Sequence, residues 1–404
     1  MKASRATLLA LLCVVTVYAP AFGQVPTTET REGVIARQQQ EKAAAAATYQ
    51  PGRVEALFDR FEQRGFPFVG TPPGFYPALG SVYPGGGFAG GVGYRKFTGH
   101  SALLDLHGMY SIETYSRLEA TFRSPGHARG RLELGARAGW LDAPRVGYYG
   151  LGAESDLEDG TEFRLQEAYA DSSMSWRPVK WFQLAAGGGY EGYNQGSGTG
   201  SKTSIEERYT PATAPGLGED PKFVRGSTTA SLLWAESPAY SRHGGFLRWT
   251  YDGRARLDQD GAFGITRTEV VQHIPVLRET WVVSLRGRAD AVIGDEANVP
   301  FFLLPSLGSG STLRAFHTNR FRDRQSVLLS GEWRWIPSRL ALDLALFADA
   351  GTVGATWSEV RSSAMKTDYG IGVRFHTAAA TAVRIDLAHG AEGLRLVFAT
   401  SAPF

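Results

Sequence analysis

From Gly86 onward the chain alternates apolar and polar residues with a period of two, in segments of about ten to fourteen residues, the pattern of half-buried β-strands. In segment 130–141, Leu132, Leu134, Ala136, Ala138 and Trp140 share one face while Arg131, Glu133 and Arg137 share the other. Segment 280–293 sets Trp281, Val283 and Leu285 opposite Arg286, Arg288 and Asp290, and in segment 340–351 Leu342, Leu344 and Leu346 oppose Asp343 and Asp349. Beyond the N-terminal leader no apolar run reaches the roughly 18 residues that a bilayer-spanning helix needs, so a membrane location requires a closed barrel.

A soluble sandwich shows the same alternation. Three features favour the membrane. The polar face carries arginine as well as acids, the segments match a tilted bilayer strand in length, and the chain has no cysteine outside its leader to brace a secreted fold. The sequence therefore predicts an all-β, 16-stranded antiparallel transmembrane β-barrel. Its strands are expected near 86–97, 101–112, 114–123, 130–141, 144–153, 161–177, 180–193 and 223–235, then 244–257, 261–272, 279–293, 324–335, 340–351, 366–377, 380–389 and 393–404. The long connections 194–222, 294–323 and 352–365 all follow odd-numbered strands, so they share one mouth, assigned to the outside with both chain ends periplasmic. Tight connections at the other mouth are expected to hold Pro144, Pro178, Pro238, Pro275 and Pro337, where a missing amide proton costs least.

Three pieces make up the expected domain plan. Lys2 and Arg5, an apolar run over 6–19 and Ala21-Phe22-Gly23 read as a cleaved signal peptide, residues 1–23, which contains the sole cysteine, Cys13. Residues 24–84 read as a helix-prone periplasmic segment, amphipathic over 54–63, followed by a proline-rich linker. The barrel is assigned to 85–404. The loop 294–324 is greasy for an exposed connection, with Val299, Phe301, Phe302, Leu303 and Leu304, and is expected to fold into the lumen.

Composition removes other classes. With 49 glycines, 12% aromatic and 20% charged residues, the chain is neither disordered, nor a coiled coil, nor a helical enzyme. Forty-two basic less 40 acidic residues leaves +2, which the leader accounts for, so no nucleic-acid partner is expected. Gly85-x-Gly87-x-x-Gly90 and Gly187-x-Gly189-x-x-Gly192 have dinucleotide-loop spacing but precede no helix, and read as barrel glycines. No Gly-x-Ser-x-Gly elbow occurs. The eight histidines are dispersed, and His107 and His376 read as lumen residues. The acidic stretch 154–159 reads as external loop rather than a calcium site. No catalytic residue, metal ligand or cofactor is expected.

The run Leu307-Gly308-Ser309-Gly310-Ser311-Thr312-Leu313-Arg314-Ala315-Phe316 resembles the lumen loop of the bacterial surface-antigen superfamily, which includes BamA-like outer-membrane assembly factors and two-partner secretion transporters. That loop carries an apolar-Arg-Gly-aromatic tetrad, with Ala315 here in place of the glycine. Glu332-Trp333-Arg334 resembles the family's Glu-aromatic-Arg strand, and Phe347-Ala348-Asp349-Ala350-Gly351 its Phe-x-Asp-x-Gly strand. The resemblance implies a latch in which Arg314 pairs with Glu332, Asp349 or both, with Phe316 and Gly351 in the same constellation. If the family glycine has a positive φ, Ala315 is strained. The last strand, with Leu394, Leu396, Phe398, Ala402 and Phe404 on one face, resembles the C-terminal signal read by barrel-assembly machinery, with Phe398 and Phe404 as its aromatics.

The resemblance further implies a Gram-negative outer-membrane location, contact with outer-membrane lipid, and folding as a client of the barrel-assembly machinery. Residues 24–84 leave no room for a POTRA module, so a POTRA-less member is expected, with a periplasmic or unfolded polypeptide as partner. Two functions stand. One is an assembly or transport barrel passing or inserting polypeptide or lipid through a loop-latched lumen and a weak seam between first and last strands, favoured by Gly85, Gly86, Gly87, Gly90, Gly91 and Gly93. The other is a surface antigen, narrow pore or binding barrel without translocation.

Overall fold

Sixteen strands pair in chain order into one antiparallel sheet in the computed structural model, which describes residues 73–404 apart from 100–101, 237–239, 278–279, 296–297, 338–341, 377–380, 400–401 and 403. They are β1 (Gly74–Gly80), β2 (Ala89–Thr98), β3 (Ala102–Ser111), β4 (Ser116–Gly126), β5 (Leu132–Tyr148), β6 (Thr161–Val179), β7 (Phe182–Ser197) and β8 (Lys222–Leu233). β9 (Gly244–Arg256), β10 (Ala262–Leu277), β11 (Trp281–Gly294), β14 (Gln325–Trp335), β15 (Leu342–Gly354), β16 (Lys366–His376), β17 (Thr381–Gly390) and β18 (Gly393–Ala399) complete it. Between β11 and β14, the short strands β12 (Ser306–Leu307) and β13 (Phe321–Arg322) pair only with each other. The signal peptide and the helix-prone segment lie outside the described residues.

The alternation sorts side chains opposite to a soluble sandwich. Trp140, 41% exposed, Leu285 and Leu346, 50% exposed, stand on the outer wall, while Asp290, Asp343 and Arg374 between them are buried inside. An apolar exterior around a charged interior is stable only where hydrocarbon replaces water outside.

The strand number agrees with the sequence reading, although two members differ. β1 lies where a linker was expected and moves the start of the barrel from residue 85 to Gly74. Pro77 and the flanking glycines hide it; on an edge strand the missing amide proton is tolerated. The expected strand 144–153 is not separate. β5 continues to Tyr148, and its register against β6 shifts between Ala143 and Val146, a bulge that accommodates Pro144. Pro178 and Pro275 likewise sit inside β6 and β10 beside register shifts, not in turns. Pro337 lies in the connection after β14, and Pro238 lies outside the described residues. The last strand ends at Ala399, so Phe404 does not continue its outer row; its ring lies 5.9 Å from the Arg286 guanidinium, which donates to the lumen loop at the Ser311 carbonyl.

The connection between β11 and β14 turns into the lumen. Val299, Phe301, Phe302 and Leu304 are buried against Tyr148, Phe163, Tyr193, Phe223 and Phe263 of the wall. Phe301 meets Tyr148 and Phe163 edge-on, each at 4.8 Å, and Phe302 lies 5.1 Å from Tyr193. These geometries are favourable for aromatic pairs, and burial removes the cost of exposing the greasy loop. At the ends of the sheet β1 pairs with β2 and β18 with β17; among the described residues no ladder joins β1 to β18.

Candidate functional site: the lumen loop and its seat

Period-two geometry points every second residue of β14–β17 inward, and register then groups them. Glu332 of β14 lies opposite Phe347 of β15, and Asp349 lies between Ser330 and Asp368 of the flanking strands. Arg374 of β16 faces Arg384 of β17, two residues before Asp386. A cluster of charge is thus fixed on a rigid wall.

Arg314, 1% exposed, descends from the loop into this cluster. Its Nε lies 2.9 Å from Asp349 Oδ2, and its Nη1 lies 3.1 Å from Glu332 Oε2 and 3.4 Å from Asp386 Oδ2. The guanidinium carbon stacks 3.8 Å from the centroid of the Phe347 ring. Glu332 Oε2 also accepts from Arg374 Nη2 at 2.7 Å, while Asp386 takes Arg374 and, at 3.4 Å, Arg384. Arg384 in turn donates to the Gly310 carbonyl of the loop, 2.5 Å away. Only a planar group with several fixed donors serves three carboxylates and a ring face together; an ammonium does not. Removing one partner would strand buried charge, at about 3–5 kcal/mol.

The neighbouring residues explain how the backbone fits. Ala315 donates its amide to Asp368 Oδ2 at 3.1 Å. It is not among the residues with positive φ, so the strain expected of alanine here does not arise. The room is made on the wall instead: a Cβ at Gly390 would come within 3.0 Å of the Ala315 Cβ. Phe316 is buried and packs 5.2 Å from Phe321, in a cluster that also holds Leu307, Leu313, Phe347 and Ala388. Gly351 lets the loop approach, since a Cβ there would stand 2.8 Å from Leu307 Cδ1 and 3.0 Å from the Val327 carbonyl. Phe398 stands on the outer wall, far more exposed than any of these, and does not join the cluster.

Past the tetrad the loop is held at the β17–β18 turn. Glu392 receives Arg320 Nε at 2.5 Å and His317 Nδ1 at 2.9 Å, and Arg395 donates to the Phe316 carbonyl. Burial alone would raise the Glu392 pKa; hydrogen bonds from His317 and Arg320 outweigh it and hold the carboxyl below its ordinary range. Arg320 also donates to Ser155 of the β5–β6 connection, to Oγ at 2.8 Å and to the carbonyl at 2.7 Å.

Asp386, Arg374, Arg384, Asp368 and Gly390 were not singled out from the sequence. The alternation of Arg384 and Asp386 within β17 was a usable signal, since two charges two residues apart on a membrane strand must face the lumen. His107 does face the lumen, 3.1 Å from Asp105, and His376 lies 3.1 Å from Asp343. The glycines at 187, 189 and 192 lie within β7 and open no helix, the strand running on to Ser197. Among the described residues no group of three or more His, Cys, Asp or Glu is placed to hold a metal ion.

Solved structures share this architecture. BamA from Haemophilus ducreyi lacking POTRA domains 1–3 superposes with a TM-score of 0.59 at 14% identity, over 81% of this chain and 70% of that one. CdiB from Acinetobacter baumannii gives 0.50 at 10% identity, over 80% of this chain and 57% of CdiB. No curated protein sequence matches the chain. The Omp85 superfamily domain matches residues 104–391, more than half of the 404. With its lumen loop, sixteen-stranded sheet and family match, the chain belongs to the Omp85 superfamily of Gram-negative outer-membrane barrels.

Proposed function

We propose that this barrel passes or inserts polypeptide or lipid, using the lumen loop as a latch and the β1–β18 junction as a lateral seam. The observation that carries the reading is the contrast at the junction: sixteen strands pair in order, yet no ladder closes the ring among the described residues. Every other pair of neighbours in the sheet is held by a hydrogen-bonded ladder, so the junction is the weakest line along which the wall can part. Arg314, Phe316, Glu332, Asp349 and Gly351 form the latch in this reading, and release of the loop accompanies opening.

The mouth with tight turns faces the periplasm, as does the N-terminus, and a periplasmic or unfolded polypeptide is the partner. Outer-membrane lipid lines the apolar wall. Phe398, with Phe404, serves as the signal by which the barrel-assembly machinery takes the chain as a client. Depleting the protein and profiling the outer membrane tests the assembly role: loss of other barrels supports it, and an unchanged profile favours a surface antigen or pore. A large, steady conductance in planar bilayers would overturn the latched lumen.

A further inference from the structure

The approach to β9 is anomalous for its mouth of the barrel. The β8–β9 connection spans 234–243, longer than the two to five residues usual for a hairpin. Its last residues turn inward: Tyr240 is 7% exposed and Ser241 is buried. The Tyr240 hydroxyl donates to Asp343 Oδ2 at 2.8 Å, and its ring stacks on His376 with centroids 4.2 Å apart and planes at 13°. Arg334 lies 5.4 Å from the same ring centroid, and its Nη2 donates to the Ser241 carbonyl at 2.5 Å. Val282 and Ile336 close an apolar collar around Tyr240.

The wall residues that grip this step continue the column that seats the lumen loop. Arg334 follows Glu332 by two positions on β14, His376 follows Arg374 by two on β16, and Asp343 precedes Asp349 by six on β15. One stripe of inward charge therefore holds a segment entering from each mouth. Asp343 and Arg334 are buried, and charges removed from water are retained only with partners; Tyr240 and Ser241 supply part of them, beside His376 at Asp343 and Ser284 at Arg334.

We infer that Tyr240 and Ser241 form a second closure of the lumen, at the mouth opposite the long loops, so that passage along the axis requires release at both ends. Cysteine labelling tests it in the refolded full-length barrel. Ser241→Cys keeps the carbonyl that Arg334 binds, and Glu236→Cys, at a side chain 56% exposed on the same connection, is the reference. Ser241→Cys is expected to react with a water-soluble maleimide at least about tenfold more slowly than Glu236→Cys. Adding Tyr240→Phe, which deletes one hydrogen bond to a carboxylate, should speed it about tenfold. Equal rates at 236 and 241, in variants that keep heat-modifiable migration, overturn the inference. So does a Ser241→Cys rate indifferent to Tyr240→Phe. Neither measurement involves Arg314, so the result stands apart from the fate of the lumen-loop latch.

Discussion

Along β14–β17 the ion pairs of the lumen are sealed from water, whereas along β5 and β6 they stay wet. Arg314 with Glu332, Asp349 and Asp386 leaves at most 1% of any side chain exposed. Arg137–Asp171 has an equally good contact of 2.8 Å, yet the Arg137 side chain is 44% exposed. The same alternation produced both walls, and what differs is the cover: the lumen loop seals the charges of β14–β17, whereas on β5 and β6 it packs on Tyr148 and Phe163 and leaves the Arg137–Asp171 pair open. Coverage turns ordinary cross-strand pairs into a network that cannot lose a member cheaply, since exposed pairs contribute about 0–1 kcal/mol and broken buried ones cost about 3–5.

That contrast is open to attack at several points. Arg314→Ala carries the largest expected effect, about 3–5 kcal/mol of lost stability, read as a lower urea midpoint and a weakened heat-modifiable band. A loss no larger than that of Arg137→Ala would erase the distinction between the walls. Gly351→Val comes next, at about 1–3 kcal/mol, because the new side chain meets Leu307 and the Val327 carbonyl; a compensating Leu307→Ala should recover part of it. Arg137→Ala is expected to cost about 1 kcal/mol or less in the same assay. Ala315→Gly should bring no gain, since φ is not positive and glycine adds only freedom to the unfolded chain, a loss of about 0.4–1 kcal/mol.

The smallest effect concerns pH. Glu392 is depressed in the folded state, so its contribution is full above the ordinary glutamate range and fades as pH falls through its lowered value. Glu392→Gln should flatten the acid limb of stability between about pH 5 and pH 3 relative to the parent, measured by chemical unfolding at fixed ionic strength. A limb unchanged by the substitution would assign the acid sensitivity elsewhere.

Much of the barrel was legible because period two survives nearly everywhere, and a strand with one face in lipid has little freedom to depart from it. The total of sixteen came out right through two opposite errors. Pro77 concealed β1, and Pro144 was taken for a turn although a bulge carries it inside β5. Both reflect the ambiguity of proline, which marks edges and bulges as readily as turns. Periodicity put Asp349 on the polar face, but its pairing with Arg314, and the choice of Arg314 and Glu332, came through family resemblance. Asp386 was missed because 72 residues separate it from Arg314, and only strand register brings them together. Gly390 was equally invisible: a glycine on the wall making space for Ala315 has no local signature.

One rim of the sheet, β1, has seven residues and is bounded by Pro73 and Ser81, which lie outside the strand. A strand crossing the hydrocarbon layer needs about 9–11 residues, so this rim falls short of the full thickness. Lipid beside it must thin to keep its ends out of the headgroups' way, at a cost of fractions of a kcal/mol per ångström. Bilayer thickness thereby becomes a physical variable acting on this protein, with thinner membranes easing its insertion and thicker ones straining the line where the wall begins and ends.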